Sequence, residues 1–133
     1  MSVDATIFFD GSCRPGPSGR EMRGGWCAVL LTDPPLVASG ATPARSRLPD
    51  STRAEWLALE AALAWVSRFR GLSRLKVRGD SRSVVDVLRS AKRTGQSGPC
   101  HAALDALRAG GTAVDVGWVP RGLNVLCDGL ARG

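Results

Sequence analysis

The sequence predicts an α/β domain built on a mixed sheet. Short apolar, β-prone runs come first, helical and strand-length segments then alternate, and no linker interrupts them. Consecutive strands joined by short links favour an antiparallel meander, whereas helices between later strands imply parallel crossovers. At 133 residues, with 44% hydrophobic and 23% charged residues, the chain is sized for one globular domain, taken as 1–133.

The first strand is Ala5–Asp10, stopped by Gly11 and Ser12, and residues 13–25 read as a loop rich in Gly, Pro and Arg. Gly25–Leu31 is a second strand, Asp33-Pro34-Pro35 a turn, and Leu36–Ala41 a third strand. Ser51 or Thr52 can cap the helix that follows, since the Ala- and Leu-rich run as far as Arg70 contains no Pro or Gly. Leu75–Gly79 is a fourth strand, and Ser81 caps a helix reaching Lys92. Thr94–Gly98 is a polar break, Cys100–Arg108 a helix ended by Gly110 and Gly111, and Ala113–Val119 a fifth strand. Residues 120–122 lead to a last helical turn capped by Asn124, which completes the order β-β-β-α-β-α-α-β-α.

No apolar stretch approaches the length of a membrane span, and no basic-then-apolar leader precedes the first strand. Cys13, Cys27, Cys100 and Cys127 are scattered and His101 is the single histidine, which argues against a disulfide framework or a zinc site. A chain with free thiols in the cytoplasm is expected. The net charge of +6, carried mainly by arginine, suits a polyanionic partner, because the forked guanidinium matches phosphate.

The carboxylates narrow the chemistry. Asp10 ends the first strand and Asp80 the fourth, and in such sheets ligand sites form beyond strand ends where neighbouring connections diverge. Each also has a structural role open to it. Asp10 can begin a turn with Gly11, while Asp80 and Asp128 can sit near helix N-termini where the dipole favours an acid. Glu55 is different, because Glu55, Leu59, Ala62, Val66 and Phe69 form one helical stripe, which puts a carboxylate on an apolar face. An ionised group there needs a compensating partner, either an arginine or a metal ion. If the four acids converge, their oxygen donors select Mg2+ or Mn2+. Two such ions about 4 Å apart can activate water and stabilise the leaving oxygen of a phosphodiester without any histidine.

Four blocks, Asp10 to Pro17, Arg53-Ala54-Glu55, Gly79-Asp80-Ser81 and Trp118 to Asp128, resemble in order and approximate spacing those of type 1 ribonuclease H. The resemblance spans nearly the whole chain. It implies the ribonuclease H-like fold, a five-stranded mixed sheet with helices on both faces. It also implies endonucleolytic hydrolysis of the RNA strand of RNA–DNA hybrids, leaving 3′-hydroxyl and 5′-phosphate ends. A monomer is expected. Asp10, Glu55, Asp80 and Asp128 match the family's metal-binding carboxylates, holding two Mg2+ or Mn2+ ions. The backbone of Gly11, Ser12 and Cys13 corresponds to the part that lies near RNA 2′-hydroxyls, which distinguish RNA from DNA.

The last loop is similar to the plant- and archaeal-type variant, with Arg121 where many relatives have histidine. Arg121 can bind a phosphate but stays protonated and cannot serve as a general base. Just before the glutamate, Asp50-Ser51-Thr52 stands where the family often has asparagines, and the long basic protrusion of some bacterial members is absent. Substrate contact is therefore expected from Gly11, Ser12, Cys13, Arg14, Ser51, Thr52 and Arg53, with Arg20, Arg23 and Arg82 as further phosphate candidates. Trp26, Trp56, Trp65 and Trp118 fall within predicted elements and are expected mostly in the core. Three rival readings are a proofreading-type exonuclease or junction resolvase of the same superfamily, a hybrid- or RNA-binding module without catalysis, and a basic α/β domain with no site. Gly11 and Ser12 after Asp10 disfavour the exonuclease pattern, in which a second acid follows closely.

Overall fold

Alternation builds the first strand, with Ala5, Ile7 and Phe9 buried at 2% exposure or less while Thr6 and Phe8 between them are only partly buried. In the computed structural model the described residues are 3–16, 19–45, 51–90 and 93–124. Strands β1 (Val3–Gly16), β2 (Gly19–Leu30), β3 (Leu36–Arg45), β4 (Leu72–Gly79) and β5 (Ala113–Trp118) form one sheet in the order β3-β2-β1-β4-β5. The β1–β2 and β2–β3 pairs are antiparallel, and the β1–β4 and β4–β5 pairs are parallel. The mixed five-stranded sheet, with its meander followed by crossovers, is as the element order predicts.

The expected loop over 13–25 is largely strand. Residues 11–16 pair with residues 19–24, including Pro15 opposite Arg20 and Gly11 opposite Gly24. Glycine, proline and arginine argue against a strand by side chain, but a ladder is made by main-chain groups, and the register set by the apolar half of β1 continues outward.

Helix α1 (Ser51–Val66) stops earlier than the apolar run suggests. The Ser67 hydroxyl donates to the Leu63 carbonyl, Arg68 and Phe69 make tighter bonds back to Trp65 and Val66, and Gly71 takes a left-handed φ of 77° into β4. Ser51 and Thr52 lie inside the first turn and not ahead of it. Helix α2 (Arg82–Arg89) begins after Ser81, whose hydroxyl pairs with that of Ser83 and makes no side-chain cap. Its expected extension to Lys92 ends at Arg89. Helix α3 (Gly98–Ala109) follows, and a 3-10 turn spans Arg121–Leu123. Asn124 closes that turn as its C-cap. The helix expected beyond it, with Asp128 and Cys127, lies outside the described residues.

The core lies where α1 crosses the sheet. Ala58, Leu59, Ala62, Leu63 and Val66 are fully buried in one cluster with Ile7, Phe9, Ala28, Leu30, Leu75, Val77 and Leu104. Each buried leucine contributes about 1.5–3 kcal/mol. Cys27 and Cys100 are buried free thiols, and Cys100 Sγ donates to the Trp56 carbonyl at 3.5 Å. Among the described residues no helix is long and apolar enough to cross a membrane.

Candidate active site

Strands β1 and β4 run side by side up to the pair Phe9–Gly79. The close packing requires glycine, because a Cβ at position 79 would lie 2.7 Å from Phe9 Cζ. Beyond that pair β1 stays with β2, Asp10 lying opposite Gly25, while the chain after β4 turns away toward α2. Asp10 thus lies within a longer strand than the sequence suggests, yet still where its parallel neighbour departs, and Asp80 is the residue at the departure.

Strand β5 holds Asp80 by its main chain. Trp118 Nε1 donates to the Asp80 carbonyl at 2.9 Å, and the Val119 amide donates to the Gly79 carbonyl at 2.9 Å. The Arg82 guanidinium sits 4.0 Å from the Trp118 ring centroid, a cation–π contact that fixes the indole from the far side. Trp118 is 38% exposed, so this tryptophan serves the site and not the core. Trp56, next to Glu55, is buried at 5% exposure.

Glu55 arrives on the first turns of α1. That end of the helix rests on bare backbone at Gly24, where a Cβ would lie 2.6 Å from the Ala54 carbonyl oxygen and 2.7 Å from Ala58 Cβ, and would also meet Thr42 Oγ1. Gly24 adjoins Gly25, the partner of Asp10. The same contact that seats the helix therefore brings Glu55 to Asp10.

One carboxylate oxygen each from Asp10, Glu55 and Asp80 lies within 4.8 Å of the others. Asp10 is 4% exposed, Glu55 5%, and the Asp80 side chain 4%. At that spacing each ionised pair repels by about 3–4 kcal/mol at an effective dielectric of about 20. The surrounding donors offset part of this. The Gly11 amide donates to Asp10 Oδ1 at 2.8 Å, Asn124 Nδ2 donates to Asp80 Oδ2 at 3.3 Å, and Arg121 Nε lies 4.0 Å from the same oxygen. A divalent cation fits the remainder, because the donors are all oxygen and their acids come from three different elements. The buried Asn124 Oδ1 fits as well, having no hydrogen-bond partner among the described residues.

Asp10, Glu55 and Asp80 of the predicted set are thus brought together, and Arg121 stands beside them with its side chain 73% exposed. Asp128 lies outside the described residues. Gly11 and Ser12 follow Asp10 along β1, Gly11 with its amide committed to the Asp10 carboxylate. Thr52 and Arg53 are exposed in the first turn of α1 and line, with Trp56, Val84, Val87 and Gln96, a cavity of about 510 Å³. The side chains of Cys13, Arg14, Arg20 and Ser51 lie outside the described atoms. Sequence reasoning missed Asn124, read only as a cap, and Trp118, read as core. A polar residue in a short loop before an expected ligand was the available signal for Asn124.

Residues 9–133 match the model of a family described as reverse transcriptase-like. RNase H1 from the halophilic archaeon Halobacterium salinarum NRC-1 is similar in structure, with a TM-score of 0.70 and 28% identity over 97% of this chain and 95% of that one. The N-terminal RNase H domain of a Mycobacterium tuberculosis protein, solved as a fusion with maltose binding protein, gives 0.66 and 26% over 98% and 92%. A foamy viral protease-reverse transcriptase in complex with RNA/DNA hybrid gives 0.71 at 15% identity over 96% of this chain and 19% of that one, a likeness of fold alone. No curated protein matches the chain.

Proposed function

The chain belongs to the reverse transcriptase-like family, and on that premise we propose that it is a type 1 ribonuclease H, an endonuclease hydrolysing the RNA strand of RNA–DNA hybrids. The observation that carries the reading is the convergence of Asp10, Glu55 and Asp80 from two parallel strands and a helix to within 4.8 Å. Asp10, Glu55 and Asp80, with Asp128 as a fourth ligand, would hold two Mg2+ or Mn2+ ions, which would supply activation of a water and stabilisation of the leaving oxygen for products with 5′-phosphate and 3′-hydroxyl ends. Their positions come from the sheet and from the seat of α1 at Gly24, so the carboxylates are oriented before any ion or substrate arrives.

Arg121, exposed beside Asp80, contacts a phosphate next to the site as a fixed cation; it moves no proton. The backbone from Gly11 to Cys13 runs on from Asp10 and meets the RNA sugar edge, while Ser51, Thr52 and Arg53 contact the hybrid at the entry of α1 and Arg14 contacts it from β1. The net charge of +6 draws the duplex in and makes binding weaken with salt. The domain, 1–133, acts as a cytoplasmic monomer.

The test is incubation with Mg2+ or Mn2+ and an end-labelled RNA–DNA hybrid, with single strands, duplex DNA and a four-way junction alongside. Internal cuts confined to the RNA of the hybrid support the reading. Cutting of the junction alone, or hybrid binding without cleavage by the unaltered protein, overturns it.

A further inference from the structure

The parallel ladder between β1 and β4 ends at Phe9–Gly79, and where the next rung would fall a side chain takes its place. Asn124 Nδ2 donates to the Phe9 carbonyl at 2.8 Å and to Asp80 Oδ2 at 3.3 Å. The two hydrogens of one amide group thus tie the main chain that presents Asp10 to the carboxylate of Asp80. Asn124 is 2% exposed, and its backbone is fixed by its own amide, which donates to the Arg121 carbonyl at 2.9 Å. The orientation of the side-chain amide follows from chemistry. Turned over, it would set its oxygen against a carbonyl and a carboxylate, two acceptors. The nitrogen therefore faces Phe9 and Asp80, and the oxygen is the buried acceptor with no partner among the described residues.

We propose that Asn124 is a positioning residue of the carboxylate site, fixing the orientation of Asp80 relative to Asp10 and leaving its own Oδ1 as an acceptor for water held at the site. A residue serving only the fold would act differently. The 3-10 turn is closed by the Asn124 backbone amide, which any residue at 124 supplies; the side-chain donor is needed for the two bonds that link the Phe9 carbonyl to the Asp80 carboxylate. The inference rests on the metal-dependent reading of the site.

The test compares wild type with Asn124→Ala and with Asn124→Leu, which is close in shape and uncharged but lacks the donor. Mn2+ binding is measured by calorimetry on the protein alone, and kcat and KM on the hybrid. Partners that orient metal ligands typically change affinity or activity by about 10–100-fold. Both variants are therefore expected to bind Mn2+ at least about tenfold more weakly and to lose kcat, while KM for the hybrid stays within about twofold. Should Asn124→Ala fail to fold, Asn124→Leu carries the comparison. Folded variants with wild-type Mn2+ affinity and kcat overturn the positioning role and leave the functional reading standing. A wild-type protein that neither binds Mn2+ nor cuts the hybrid overturns both.

Discussion

Asp10 and Asp80 are the residues immediately beyond the last rung of the β1–β4 ladder, Phe9 opposite Gly79. An acid on β1 and an acid just past the end of the parallel β4 are thus held side by side by the main-chain pairing that precedes them. Their closeness is built into the sheet, and Glu55 adds a third negative charge from above. A metal-free protein carries this repulsion as a standing cost.

Asp80→Asn removes one charge from the cluster without changing its shape. In the absence of divalent ions the variant is expected to melt at a higher temperature than wild type. Added Mn2+ should raise the wild-type melting temperature, by about 2.7 kcal/mol of stabilisation at a hundredfold excess over its dissociation constant, and the variant's far less. Hybrid cleavage should fall by about a thousandfold, equivalent to about 4 kcal/mol of transition-state stabilisation. Thermal unfolding with and without Mn2+, together with a single-turnover assay, decides it; a variant less stable than wild type without metal would falsify the repulsion.

Trp118→Phe keeps a ring beneath Arg82 but deletes the indole donor to the Asp80 carbonyl. The expected loss of stability is about 0.5–1.5 kcal/mol. Because the bond holds the main chain of Asp80, kcat should fall further than substrate affinity. Equal falls in Trp118→Phe and Trp118→Leu would support the lost hydrogen bond, whereas a fall only in Trp118→Leu would point to the ring.

Much of this was legible in the sequence, for identifiable reasons. Glu55 stood on an apolar helical stripe, and burial at 5% exposure follows from that periodicity. Asp10 and Asp80 were legible as strand-end acids, although β1 runs on to Gly16. That extension was hidden because main-chain pairing, unlike side-chain propensity, leaves little trace in a segment of Gly, Pro and Arg. Asn124 and Trp118 were hidden for another reason. Their roles depend on contacts with Phe9 and Asp80, far away in sequence, and no local pattern encodes a partner at that distance.

Cys100 carries a pH dependence whose sign is fixed by its burial. Desolvation, with a smaller contribution from the charge of Glu60, pushes the thiol up to about 12 from 9.0. The folded state thus keeps its proton at pH values where the unfolded state has lost it. Its contribution is fully present below pH 9.0 and is lost as pH rises toward about 12, at up to about 1.4 kcal/mol per pH unit. Urea unfolding between pH 8 and 11 should show wild type losing more stability than Cys100→Ala across that window. Alkylation followed by peptide mapping at pH 8 should leave Cys100 unmodified in the folded protein, and rapid modification there would sink the account.

Gly24→Ala tests how the helix is seated. A Cβ at this position would lie 2.6 Å from the Ala54 carbonyl oxygen and 2.7 Å from Ala58 Cβ. Both belong to the α1 backbone or its shortest side chains, which cannot rotate away, so the helix itself must shift. Overpacking of this kind costs about 1–3 kcal/mol. Since Ala54 adjoins Glu55, the shift should also move that carboxylate relative to Asp10 and Asp80. Stability and Mn2+ affinity are therefore expected to fall together, with kcat following. Gly98→Ala is the matched control, because nothing lies within 4 Å of a Cβ there. Gly98 begins α3, where Gly-to-Ala replacement in a compatible conformation stabilises by about 0.4–1 kcal/mol. Melting temperature and Mn2+ titration on the two variants separate the cases: a Gly24→Ala protein that is less stable yet keeps wild-type Mn2+ affinity would show that α1 moves without carrying Glu55, contrary to the seating described.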